Sequence, residues 1–219
     1  MAGAPLSPAR AASRDASVAG LLAANAVAAV LAVAVGLSLR ELMFVYWLQS
    51  VVIGGFHVLR LLCLRDYSTD GMKLDPRYLE PSSLNKWRFA IFFTLHYGLF
   101  HLGYLAFLAT GALNAGRPLA AHGVAVAACA LGFVVHHAMA FRRQVAADRT
   151  GRPSIGTLMM MPYFRVVPMH LAILAGDAWA SGAKGLLLFI ALKTGADVLM
   201  HLIDRSITQP GPPLLHRLD

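Results

Sequence analysis

The side chains most able to do chemistry in this 219-residue chain are ionisable groups inside long apolar segments. A charge at the centre of a lipid bilayer costs about 3 kcal/mol on insertion scales, so such groups are rare and face the protein interior or a water-filled cavity. Histidine dominates the set, and neutral imidazole is the commonest metal ligand in proteins. The set consists of His57, Arg60, His96, His101, His136, His137, Arg165, His170, Lys193, Asp197 and His201.

One stripe in the last apolar segment predicts a metal site. Lys193, Asp197 and His201 follow one another at spacings of four residues, so they share one helix face. Asp197 and His201 can supply two ligands, and His96 and His170 would add ligands from other segments. Such ligands with one open position can hold zinc and activate water. We therefore predict a divalent metal, zinc in preference to haem, bound by His96, His170, Asp197 and His201.

Three further residues complete this hypothesis. His57 would be an additional ligand or a general base, and Arg165 and Lys193 would bind an anionic or carbonyl group. The predicted activity is metal-dependent hydrolysis or redox chemistry on a lipid-soluble substrate. A b-type haem held by two histidines is the less favoured cofactor, and the chain has no CxxCH sequence for covalent haem attachment.

Two other functions would use the same polar residues. A proton-coupled transporter or channel subunit would use them as a proton relay or a substrate pocket. The chain is short for a transporter and shows no inverted repeat, so a homo-oligomer would supply the missing size. Alternatively, the polar groups only clamp the helices together, with Lys193 and Asp197 as an ion pair at positions i and i+4.

Composition and segment length predict a membrane domain built only from helices. Hydrophobic residues make up 58% of the chain and charged residues 14%, against roughly 25% charged residues in soluble domains. A helical span of a bilayer needs about 20 apolar residues. Six segments reach that length, namely 18–38, 41–64, 87–111, 119–141, 155–179 and 184–204. The predicted fold is therefore all-α, with a six-helix transmembrane bundle over residues 18–204.

The basic residues predict how these helices are oriented. Of the 19 Lys and Arg residues, 13 fall in the two ends and in the second and fourth loops, whereas three fall in the other loops. The positive-inside rule then places both termini in the cytoplasm, with residues 1–17 and 205–219 as disordered ends. The net charge of +8 suits anionic lipid headgroups, so we predict the lipid bilayer and not nucleic acid as the partner. The expected location is the bacterial inner membrane.

Helix geometry adds predictions about single side chains. His96 and His101 are five residues apart, about 140° around a helix, so one should face the centre and the other a neighbouring helix. Tyr46 and Trp47, near the outer end of the second predicted helix, are expected to anchor it at the membrane interface.

The acidic residues are predicted to be mostly outside the bilayer. Asp148 falls in the polar segment 142–153 and is expected in an aqueous loop, and His122 is expected to be solvated near the outer surface. Asp197 would then be the only deep carboxylate, serving Lys193, Arg165 or a histidine-bound cation.

Four stretches of the chain together resemble a known family. They are Tyr46–Gly54 (YWLQSVVIG), His96–Phe100 (HYGLF), Arg165–His170 (RVVPMH) and Leu192–His201 (LKTGADVLMH). The chain resembles, through them, a family of small prokaryotic polytopic membrane proteins without an assigned activity. The resemblance implies the same membrane fold. An acidic residue is usual in that family where this chain has Gln49, which argues against Gln49 as a ligand or proton acceptor.

The stripe of Asp197 and His201 is similar, more loosely, to the membrane hydrolases that include alkaline ceramidases and adiponectin receptors. Those proteins hold zinc with three histidines, near Ser and Asp, among seven helices. One helix is missing from this chain and only the stripe corresponds. The similarity therefore implies zinc-dependent hydrolysis by analogy alone.

Overall fold

The computed structural model describes residues 34–110, 122–164 and 183–208, together with positions 26, 30, 166, 167, 170 and 171, and in the last helix it describes the side chains of residues 187–199. These residues form six helices: α1 (Leu39–Cys63), α2 (Pro76–Leu79), α3 (Ser83–Ala109), α4 (Gly123–Asp148), α5 (Ile155–Phe164) and α6 (Ala183–Thr208). No strand occurs in this part of the chain, where Ser68 and Ser154 form an isolated parallel bridge. The predicted all-α class is confirmed.

Three of the described helices have the length and composition of membrane spans. α1, α3 and α4 contain 25, 27 and 26 residues and are apolar enough to cross a membrane, since a span needs about 20 residues. Large apolar side chains on the outer face of α3, among them Leu95, Leu99 and Leu102, are exposed. Lipid is the solvent that such a face requires. The chain is therefore a membrane protein.

A glycine and a serine define the start of α1. Gly36 has a φ of 73°, in the left-handed region that glycine enters without a clash of Cβ. The Ser38 hydroxyl then accepts a hydrogen bond from the Glu41 backbone N–H, and the Glu41 carboxylate accepts one from the Ser38 N–H. This reciprocal cap confirms the predicted break after the first helix. Most of the predicted first helix, and the ends 1–17 and 209–219, lie outside the described residues.

The observed boundaries differ from the predicted ones at α3, α4 and α6. α3 begins at Ser83 instead of residue 87, because the Ser82 hydroxyl caps it by accepting from the Asn85 N–H. α4 continues to Asp148 instead of ending at 141, since the Arg and Gln residues that follow 141 are good helix formers. α6 ends at Thr208, beyond the predicted end at 204. The predicted fifth span, 155–179, is described as α5 and a few later positions.

α1 is the central helix of this bundle and contacts α3, α4, α5 and α6. α1 and α3 are antiparallel. At one end Arg40 Nε donates to the Leu108 carbonyl at 2.7 Å, and at the other end Lys86 Nζ donates to the Leu64 carbonyl at 2.9 Å. Both contacts satisfy carbonyl groups at a helix end, which have no partner within their own helix.

α1 and α4 are parallel, and an ionic contact joins them at each end. His122 Nδ1 lies 2.9 Å from the Glu41 carboxylate at their N-terminal ends. Arg60 binds Asp148 at their C-terminal ends, with Nε–Oδ2 and Nη2–Oδ1 distances of 2.7 and 2.9 Å. His122 therefore has a protein partner on α1.

The position of Asp148 corrects two predictions. Asp148 and Arg60 are 7% and 3% exposed, so Asp148 is not in an aqueous loop and Asp197 is not the only buried carboxylate. The physical reason is the extra length of α4, which carries Asp148 to the level of Arg60. Two parallel N–H···O bonds from a guanidinium to a carboxylate form the strongest geometry for such a pair.

We expect the Arg60–Asp148 pair to be strongly coupled in stability. Arg60→Met or Asp148→Leu alone removes one partner of this buried ion pair and should lower the free energy of unfolding by about 3–5 kcal/mol. The double variant replaces both charges with apolar groups and should recover most of that loss. Reversible unfolding in mixed detergent micelles gives the free energy of unfolding of the wild type, the two single variants and the double variant. A double variant as unstable as the sum of the single variants would contradict the coupling.

Candidate functional site

Polar side chains line the buried side of α1 from one end to the other. Glu41, Tyr46, Ser50, His57 and Arg60 are all buried. Most of them follow the spacing of three, four or seven residues that keeps side chains on one helix face. From Glu41 to Arg60 the helix rises about 28 Å, close to the roughly 30 Å of a hydrocarbon core. Polar groups thus occur through the whole depth of one span.

The centre of this polar column is a closed hydrogen-bond circuit between α1 and α3. Ser50 Oγ lies 2.7 Å from the Tyr97 hydroxyl and 2.9 Å from His101 Nε2. His101 Nδ1 lies 2.8 Å from the Tyr97 carbonyl oxygen, and the Tyr97 hydroxyl lies 3.1 Å from the Ser50 carbonyl oxygen. We call Ser50, Tyr97 and His101 the circuit. All three residues are buried.

The geometry determines where the protons of neutral His101 lie. A carbonyl oxygen only accepts hydrogen bonds, so Nδ1, which faces the Tyr97 carbonyl, carries a proton. Nε2 is then the acceptor and receives the hydrogen of the Ser50 hydroxyl. The Tyr97 hydroxyl in turn donates to Ser50 Oγ. Every hydrogen in the neutral circuit has an acceptor.

The same heavy atoms also accommodate a protonated His101. Nε2 then donates to Ser50 Oγ, and the Ser50 hydroxyl donates to the Tyr97 oxygen. The Tyr97 hydroxyl donates to the Ser50 carbonyl, for which the 3.1 Å contact is available. A single added proton therefore reverses the direction of the hydrogen bonds through Ser50 while each group keeps a partner. Chains of hydroxyl and imidazole groups of this kind can pass protons.

Small and aromatic residues hold the circuit in place. A Cβ on Gly54 would lie 2.6 Å from Tyr97 Cε1, so the Tyr97 ring occupies the space that glycine leaves open. Phe93 stacks on that ring with centroids 4.9 Å apart. Trp47 Nε1 donates to the His101 carbonyl oxygen at 2.9 Å. The Tyr97 hydroxyl thereby reaches Ser50, one helical turn before Gly54.

A second polar cluster joins α1 to α6. Lys193 and Asp197 form the hydrogen-bonded i, i+4 ion pair that the sequence suggested, and both are buried. Lys193 Nζ lies 4.5 Å from the centre of the Tyr46 ring, and Phe189 packs on the same ring with centroids 5.7 Å apart. Tyr46 is therefore inside the bundle, and its predicted role as an interfacial anchor is wrong. The apolar ring contacts and the cation outweigh the preference of tyrosine for an interface.

Two histidines on the outer part of the bundle bond to tyrosines. His96 Nδ1 lies 2.7 Å from the Tyr163 hydroxyl of α5, and His170 Nδ1 is hydrogen-bonded to the Tyr104 hydroxyl of α3. Both imidazoles are exposed, whereas His101 is buried. The expectation that His96 and His101 face different directions is confirmed.

The predicted metal ligands are found with different neighbours. His96 bonds to Tyr163, His170 bonds to Tyr104, and Asp197 pairs with Lys193. Across the described parts of the chain, no group of three or more His, Cys, Asp or Glu residues could hold a metal ion. The side chain of His201, the fourth predicted ligand, lies outside the described residues. The metal site, with zinc or haem, stays a prediction of the sequence.

Two of the three predicted catalytic residues, His57 and Lys193, have different neighbours. His57 packs against Phe93 with ring centroids 4.9 Å apart, and Lys193 belongs to the cluster around Tyr46. Arg165 lies outside the described residues.

The sequence analysis did not predict the circuit, although the spacing of polar residues along two helices could have indicated it. Tyr46, Ser50 and His57 are separated by four and seven residues on one helix. Tyr97 and His101 are four residues apart on the next long helix. Ser50 and Tyr97 are not charged, so a search for ionisable groups within apolar segments passes over them.

The fold and these clusters define an all-α membrane protein with a polar interior. The chain belongs to the family of unknown function DUF6498, whose model matches residues 7–212. This confirms the resemblance to an uncharacterised membrane protein family. No curated protein and no solved structure matches the chain, so the analogy with alkaline ceramidases and adiponectin receptors gains no support.

Two adjacent glycines offer a matched test of the packing around Tyr97. Gly54→Ala should destabilise the protein by about 1–3 kcal/mol, because the new methyl group overlaps a buried ring. Gly55→Ala meets no atom within 4 Å and should stabilise the helix by up to about 1 kcal/mol. Reversible unfolding in mixed micelles measures the free energy of unfolding of both variants. Equal effects of the two substitutions would contradict the close approach of Tyr97 to α1.

Proposed function

We propose that the protein is a proton-coupled transporter in which His101 is the proton-loading site. The observation that supports this function is the circuit, which provides a complete set of hydrogen bonds both for the neutral and for the protonated imidazole. A purely structural clamp between helices needs only one of these two arrangements.

The path of the proton follows from the same geometry. A proton arriving at the Tyr97 oxygen displaces the Tyr97 hydrogen onto Ser50 Oγ, and the Ser50 hydrogen passes to His101 Nε2. This transfer produces the reversed hydrogen-bond pattern directly. The Tyr97 hydroxyl is therefore the entrance of the circuit.

The side of His101 opposite Ser50 offers the proton no onward path, which favours coupled transport over a proton channel. Nδ1 of His101 donates to a carbonyl oxygen, which is far too weak a base to take the proton onward. The proton has to leave His101 by the route through which it entered. Storage and return of a proton suit a protein that alternates between two states, whereas a channel needs a separate exit.

The proposed setting is a six-span protein of the bacterial inner membrane with both termini in the cytoplasm, functioning as a homo-oligomer. The relative directions of the described helices support it. α1 is antiparallel to α3 and parallel to α4, as successive crossings of a membrane require. The excess of basic residues in the loops predicted to be cytoplasmic supports the orientation.

Removal of the Ser50 hydroxyl tests the relay. In ¹⁵N-histidine-labelled protein in lipid nanodiscs, His101 should take up a proton reversibly as the pH falls. Ser50→Ala should slow the exchange of the His101 Nε2 proton with water by about 100-fold, the typical contribution of one positioned proton-transfer group. Nuclear magnetic resonance measures the exchange rate.

Thr94→Ala is the matched control for that experiment. It also removes one hydroxyl from a spanning helix, but Thr94 bonds to the carbonyl of Ala90 on its own helix. We expect its exchange rate to equal that of the wild type. The same proteins in liposomes, with a pH-sensitive dye inside, report proton movement. A wild type whose His101 never titrates, or a Ser50→Ala protein with normal exchange, would refute the proposed loading site.

A further inference from the structure

The Tyr46 hydroxyl is a buried polar group with no hydrogen-bond partner in the described part of the chain. Tyr46 is only 6% exposed, so bulk solvent does not serve the hydroxyl. An unsatisfied buried donor costs about 1–3 kcal/mol. Buried polar groups in native proteins are otherwise met by protein, ordered water or a ligand. We therefore expect a hydrogen-bond partner, such as the oxygen of a water or a ligand, next to this hydroxyl.

The charged or titratable groups near that hydroxyl come from two helices. Lys193 and Asp197 belong to α6 and Cys129 to α4, and both Asp197 and Cys129 lie within electrostatic range of the hydroxyl. The titratable side chain of α5, Tyr163, bonds to His96 instead. Phe189 packs on the Tyr46 ring and the Lys193 ammonium lies over it. The position of the hydroxyl oxygen is therefore set before any ligand arrives.

We propose that Tyr46, Lys193 and Asp197 form the binding site for a small monocarboxylate, carried together with one proton. A carboxylate has two oxygens, one to accept from the Tyr46 hydroxyl and one to accept from the Lys193 ammonium. The inference rests on the proposed proton-coupled function and names its substrate class.

Charge balance explains why the anion brings a proton. The Lys193–Asp197 pair has no net charge, and an added anion would leave one negative charge in a low-dielectric interior, which is costly. One proton taken up with each anion offsets that charge, and the carboxylate of the substrate then lies beside the Lys193 ammonium. The cluster is neutral before and after binding.

The probe for this site is acetate, added to the purified full-length protein in detergent. Acetate should raise the unfolding temperature of the wild type. Because one proton is taken up with each anion, the apparent acetate affinity should fall by up to about tenfold for each unit by which the pH rises. Chloride at the same ionic strength is the control for a salt effect.

Two substitutions of tyrosine decide whether the hydroxyl is part of the site. Tyr46→Phe removes only the oxygen, so without acetate the variant should be as stable as the wild type or more so, and it should lose the acetate effect. Tyr104→Phe removes a hydroxyl that bonds to His170 and should keep the acetate effect.

The outcomes separate this inference from the proposed function. An acetate effect that persists in Tyr46→Phe, or its absence from the wild type, overturns the carboxylate site and leaves an ordered water as the partner of the hydroxyl. Neither result changes the proton exchange of His101, which is measured without acetate. Conversely, acetate binding that requires Tyr46 stands even if His101 never titrates.

Discussion

Polar groups buried in a membrane helix have to be satisfied by protein, because lipid tails form no hydrogen bonds. α1 contains many such groups, and three of the helices that pack against it contribute side chains that contact them. Tyr97 and His101 of α3 form hydrogen bonds with Ser50, and Asp148 of α4 forms an ion pair with Arg60. α6 places Lys193 on the Tyr46 ring. The packing of the bundle around α1 therefore follows from the polar residues of one helix as much as from its apolar ones.

Charge neutrality is a shared property of these buried contacts. Arg60 pairs with Asp148 and Lys193 pairs with Asp197, so the ion pairs add no net charge to the interior. The circuit of Ser50, Tyr97 and His101 is also neutral when His101 is not protonated. The addition of one proton is then the smallest change in the charge of this interior, and both the proposed loading of His101 and the proposed binding of a carboxylate would involve that change.

The sequence predicted those features that depend on local chain geometry. The divergence of His96 and His101 and the shared face of Lys193 and Asp197 both follow from helix periodicity, and the structure agrees. Features that depend on where a helix ends were predicted less well. The apolar run stops near residue 141, but the helix continues through polar residues to Asp148, and only that continuation brings Asp148 to Arg60. Tyr46 was assigned wrongly and Ser50 was not assigned, because their roles depend on which helices lie next to α1.

The contacts of Arg40 and Glu41 have a consequence for the rest of the chain. Arg40 donates to the carbonyls of Leu108 and Ala109 at the end of α3, while Glu41 meets His122 at the start of α4. Two consecutive residues of α1 thus secure the ends of two successive spans. A substitution at Arg40 or Glu41 would therefore disturb the start of α1 and, at the same time, a helix end on a neighbouring span.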